Sequence, residues 1–190
     1  MTENEFIHYW NKEYPESLPI NHELKWNYPD RWLRVHSLPE SKRYADSMEE
    51  YKILLDRQNQ LINDLIGEKS DVFISFGLYT SDQPKDNNEE LTEFGGFLKV
   101  WTIDLHKERP EEYEDEMYFD IYVKWENGNR DEILTAIADD EIRAMFVSPS
   151  KKCVIAPYDG GVDLIVDSME KRDSLRDKYK DWLSEREDGL

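Results

Sequence analysis

Asp159 and Asp163 stand on either side of Gly160-Gly161, a pair of carboxylates that could divide acid and base roles or offer oxygen ligands to a hard cation. Asp before Gly is also ordinary turn chemistry, because its side chain bonds the turn backbone. Arg34 and His36 alternate along Arg31–Ser37, so both leave the same face of a strand. With Tyr158, Asp159 and Asp163 they would form a hydrolase-like site if the fold brings them together. An exposed polar sheet face accounts for Arg34 and His36 without any chemistry. A second cluster is Glu111-Glu112-Tyr113-Glu114-Asp115-Glu116, five carboxylates around one aromatic. Such a run suits a basic protein surface, with the acids steering association and Tyr113 as a buried anchor. A solvated loop has the same composition.

Other chemistries lack their residues. His8, His22, His36 and His106 are scattered, and no His/Cys spacing fits a zinc site, so no metal is expected. Gly95-Gly96 and Gly160-Gly161 are isolated pairs without a following Lys-Ser or Lys-Thr, so no phosphate loop and no cofactor is expected either.

The elements that must position these residues follow from periodicity. Cys153–Leu183 holds a strand, a turn at Tyr158-Asp159-Gly160-Gly161, a second strand over Val162–Val166 and a helix. The turn residues tolerate positive φ. Asp167 with Glu170 reads as the helix cap, and Leu175, Tyr179, Trp182 and Leu183 share one helical face. Upstream, Thr2 with Glu5 caps a short helix carrying Phe6, Trp10 and Tyr14, and Glu16–Pro29 is an ordered connection anchored by Leu24 and Trp26. Arg31–Ser37 is a strand whose core face is Leu33 and Val35. Asp46 with Glu49 opens the longest helix, which Gly67 ends. Val72–Tyr79, Phe97–Ile103, Met117–Trp125 and Ile142–Val147 read as further strands. Thr80–Glu90 reads as a mobile loop, Asn127-Gly128 as a turn, and Asn129 with Glu132 as the cap of a short helix.

The Tyr158-Asp159-x-Gly161-x-Asp163 turn followed by Tyr179-x-x-Trp182 resembles the end of an uncharacterised bacterial family, domain of unknown function 3885. Its upstream strand, long helix and second strand are similar to Arg31–His36, Met48–Ile66 and Val72–Phe76. The turn here is one residue shorter and has no Arg between Asp159 and Gly161. The resemblance implies an architecture and no activity.

The fold expected is α+β, a mainly antiparallel sheet with helices packed on one face and a C-terminal hairpin and helix, in one domain over residues 1–190. The net charge of −19 disfavours nucleic acid and anionic membrane surfaces. Charged residues are 35% of the chain, yet 13% aromatics argue for a packed core rather than disorder. Cys153, the single cysteine, reads as a small core residue in a reducing compartment. MTENEFIHYW has neither a basic segment nor a long apolar stretch, so a cytoplasmic, soluble protein is expected. Two functional classes follow. One is a non-catalytic acidic binding module for a basic protein, such as an immunity protein that neutralises a bacterial toxin. The alternative is a small hydrolase-like enzyme using Arg34, His36, Asp159 and Asp163, which convergence of these residues in space would favour.

Overall fold

The computed structural model describes residues 3–67, 70–81, 94–126 and 130–186. Thr2 of the first expected cap, most of the Thr80–Glu90 loop and the turn and cap at Asn127-Gly128 and Asn129 lie outside the described residues. Seven strands run β1 (Trp32–His36), β2 (Val72–Thr80), β3 (Leu98–Asp104), β4 (Tyr118–Glu126), β5 (Ala144–Ser148), β6 (Cys153–Tyr158) and β7 (Gly161–Ile165). The helices are α1 (Glu3–Glu13), α2 (Leu24–Asn27), α3 (Met48–Ile66), α4 (Leu105–Glu108), α5 (Asp131–Ala138) and α6 (Met169–Lys178). The strands form a single sheet in the order β1-β7-β6-β5-β2-β4-β3. Every neighbouring pair is antiparallel, so the protein is α+β as the sequence predicts.

Alternation along the strands sends side chains to two apolar layers. One layer joins Leu33, Val35, Ile74, Phe76, Phe146, Ile155 and Leu164 of the sheet to Leu61, Ile62 and Leu65 of α3, Leu134 and Ile137 of α5 and Leu175 of α6. Helices were expected on one face alone. The opposite face carries Phe73, Ile121, Val147, Val154 and Ile165, and these are covered by Phe6 and Trp10 of α1 and by Tyr14, Ile20 and Leu24. The difference has a plain cause: β5–β7 place apolar residues on both faces, so a one-sided sheet would leave a large apolar surface wet. Leu24 anchors the connection, whereas Trp26 is 69% exposed and anchors nothing. Cys153 is buried in the core, and burial pushes its thiol up to about 12.

Two helix caps fall one residue later than expected. α3 is capped by Ser47, whose hydroxyl accepts from the Glu50 N–H, while the Glu50 carboxylate accepts from the Asp46 N–H at 2.7 Å. α6 is capped by Ser168, which accepts from the Lys171 N–H at 3.2 Å. In both places an Asp precedes a Ser, and the shorter hydroxyl takes the cap. No helix among the described residues is long and apolar enough to cross a membrane.

The β6–β7 hairpin forms where expected, with Tyr158 paired to Gly161. Its glycines serve a different purpose from the one predicted, because neither Asp159 nor Gly160 has a positive φ. Gly161 is required by close approach instead: a Cβ there would lie 2.3 Å from the Val35 carbonyl oxygen. That neighbour is strand backbone and cannot give way, so Gly161→Ala should destabilise by about 1–3 kcal/mol through forced separation of β1 and β7. An unchanged melting temperature in a thermal denaturation would show that the two strands are not held this closely.

Candidate functional site

β1 and β7 bring Arg34 directly opposite Asp163 in the register. The pair is bidentate: Arg34 Nε donates to Asp163 Oδ1 and Nη2 to Oδ2, each at 2.7 Å. Trp32, on the same face of β1, donates its indole N–H to Asp163 Oδ1 at 3.0 Å. The Arg34 guanidinium also lies over the Tyr158 ring, 4.7 Å from its centre. Asp163 is 7% exposed, so this is a mostly desolvated pair whose hydrogen bonds offset the cost of burying two charges. The sequence admitted an exposed polar face for Arg34 and His36; both are instead largely shielded, Arg34 by this pairing and His36 by burial at the end of β1.

One turn away, Asp159 is 5% exposed and accepts from Arg43 Nε at 2.7 Å. The two Arg–Asp pairs form a wall of a cleft of about 350 Å³, whose rim includes His22, Asp140 and Arg143. Ile137, Ile142, Ala156 and Pro157 supply apolar lining. The cleft has a cause in the strand chemistry. β5 and β6 pair from Ser148↔Cys153 to Phe146↔Ile155 and no further. Pro157, two residues on, has no N–H to continue the ladder. The strands part there, and the gap between Arg143 and Ala156-Pro157 becomes the opening.

Four of the five residues in the expected polar site therefore meet here: Arg34, Tyr158, Asp159 and Asp163. His36 lines a different cleft, with Leu38, Glu40 and Trp182. Desolvation holds its imidazole below the ordinary value, partly offset by the Gly160 backbone. His22, Arg43 and Arg143 were missed. They lie in helix ends and connections that carry no chemical pattern, and the one available signal was a proline inside an otherwise apolar strand. Burial also pushes the Tyr158 phenol up to about 12, so it stays protonated at neutral pH.

The acidic run lies between α4 and β4. Glu111, Glu112, Glu114, Asp115 and Glu116 are all exposed, whereas Tyr113 is half-buried and packs on the α1-side core. The turn is tied down from below. Arg109 makes a bidentate pair with Glu23 at 2.6 Å for both bonds, its carbonyl accepts the N–H groups of Glu112 and Tyr113, and His106 Nδ1 donates to the Tyr113 carbonyl at 2.8 Å. Among the described residues, Glu112 is the one of the five carboxylates within ion-pair distance of a cation, Arg109 at 3.6 Å, while Lys107 feels the charge of Glu116.

An antiparallel α+β sheet with a polar cleft beside its C-terminal hairpin is the class of protein this structure defines. The chain belongs to the family described as domain of unknown function (DUF3885), whose model matches residues 20–187. That match spans every strand of the sheet and leaves α1 outside it. No curated protein and no solved structure matches the chain.

Proposed function

We propose that this chain is a non-catalytic binding protein that covers a basic surface on a protein partner, in the manner of an immunity protein neutralising a bacterial toxin. The observation that carries the reading is the acidic turn at 111–116. Its carboxylates are exposed and almost unused within the chain, while the backbone beneath them is fixed by Arg109, His106 and Tyr113. A turn ordered before contact loses little conformational entropy on binding. Its charge, in a chain at −19, accelerates encounter with a basic surface. Tyr113 contributes to this as a support, since part of its ring is already used by the chain's own core.

The convergence of Arg34, Tyr158, Asp159 and Asp163 is the observation that favours the hydrolase-like alternative. Against it, both carboxylates already accept from arginines, and among the described residues the cleft lining holds no serine, threonine or cysteine to act as a nucleophile. Groups satisfied by one another suit a rigid wall better than acid–base work.

The test is capture of the partner from its native cell, followed by association kinetics across a salt series. The expected partner is basic, and Glu111→Lys with Glu114→Lys should slow association by about tenfold and flatten its salt dependence. These two positions are chosen because neither contacts Arg109. A partner whose association ignores both changes would place the interface elsewhere.

A further inference from the structure

The cleft beside the β6–β7 hairpin is lined by three arginines and three aspartates, and they are not all spent on one another. Arg34 is committed to Asp163 and Arg43 to Asp159. Asp140 and Arg143 remain. Both are exposed on the rim, and neither side chain makes a hydrogen bond or an ion pair among the described residues. They sit close in sequence where the chain leaves α5, and Asp140 is held at φ 57, a conformation that non-glycine residues rarely adopt. Among the described residues, the cleft thus presents at its mouth a cation and an anion that no ion pair engages. Behind them lies an apolar wall from Ile137, Ile142, Ala156 and Pro157.

From this arrangement we infer that the cleft is a binding site for a small zwitterion of the α-amino acid class. The ligand's carboxylate meets the Arg143 guanidinium, its ammonium meets Asp140, and an apolar side chain lies against the isoleucines. Three observations favour this class over a simple anion or cation. The fixed charges of the lining balance, so a ligand of net charge loses a partner at one end or the other. The field of a chain at −19 opposes approach of an anion but leaves a net-neutral zwitterion unaffected. The volume of about 350 Å³ suits a small ligand, and the few polar groups placed around an apolar lining are what such sites use for orientation. A guanidinium fork fits a carboxylate in two parallel hydrogen bonds, which gives the Arg143 end its directional preference. The inference concerns the cleft and is independent of the acidic turn, so either can fail alone.

The experiment is an NMR titration of the full chain, following the backbone N–H of Ala156, which lines the cleft and is retained in every variant, with a panel of the standard L-amino acids. Acetate and methylammonium serve as the two half-ligands. L-valine or L-leucine should shift the resonance saturably, and each half-ligand alone should bind at least about tenfold more weakly. Arg143→Gln and Asp140→Asn should each weaken amino-acid binding by at least about tenfold. Both side chains are exposed, so the melting temperature of each variant should match that of the parent. Acetate binding as tightly as the amino acid would reduce the cleft to an anion site and overturn the inference. So would a panel that leaves the resonance unmoved, or either variant binding like the parent.

Discussion

Asp163→Ala should lower stability by about 3–5 kcal/mol, seen as a fall in the urea midpoint with an unchanged slope. The loss is large because three donors converge on that carboxylate: Arg34 Nε and Nη2 at 2.7 Å and the Trp32 indole at 3.0 Å. Removing it takes two charge-assisted hydrogen bonds from a guanidinium whose side chain is 14% exposed. It also leaves the Trp32 N–H without its acceptor. The two residues face each other across β1 and β7, so the damage falls on the pairing that adds the edge strand to the sheet. Loss below about 1 kcal/mol would mean that the pair is solvated enough to behave like a surface ion pair.

Trp10→Ala should cost about 3–5 kcal/mol, as for other large aromatics removed from a core. Trp10 is fully buried, packs 4.8 Å from Tyr14 and 5.9 Å from Phe6 between ring centres, and donates its indole N–H to the Ser17 carbonyl at 2.7 Å. Phe6 in turn meets Phe73 of β2 edge-on at 5.2 Å. The substitution opens a cavity over the sheet and leaves the Ser17 carbonyl without that donor. The result also bears on the domain boundary, because α1 precedes the family match at residue 20 and yet closes the second face of the sheet. If α1 were a loosely attached extension, chemical denaturation would show a change of a few tenths of a kcal/mol.

The parts of the fold legible in the sequence were those written in local pattern. Met117–Trp125 alternates cleanly and becomes β4, and the C-terminal hairpin and helix are signalled by turn glycines and a spaced apolar face. What could not be read was set by partners distant in the chain. Arg34 looked like a solvent-facing residue because its partner is 129 positions away. On β4, likewise, Asp120 accepts from Lys99 Nζ at 2.8 Å and from Thr102 Oγ1 at 2.6 Å, partners about twenty positions away. The covering of the second sheet face depended on where α1 docks, which no periodicity specifies. In the cleft, Asp159 and Asp163 were visible from the Gly160-Gly161 turn, whereas Arg143 and Asp140 acquire meaning only from the parting of β5 and β6 at Pro157.

The polar residues at the hairpin are a mutually satisfied lock on the sheet. The most direct measurement is a double-mutant cycle on Arg34→Met and Asp163→Leu, read by urea denaturation. The account predicts that each single change is strongly destabilising, because it strands the other charge. The double variant, with apolar side chains packed in place of both ions, should be less destabilised than either single variant, which requires a coupling at least as large as one single loss, about 3–5 kcal/mol. Losses that add to within about 0.5 kcal/mol would show that the two residues act separately, and would contradict it.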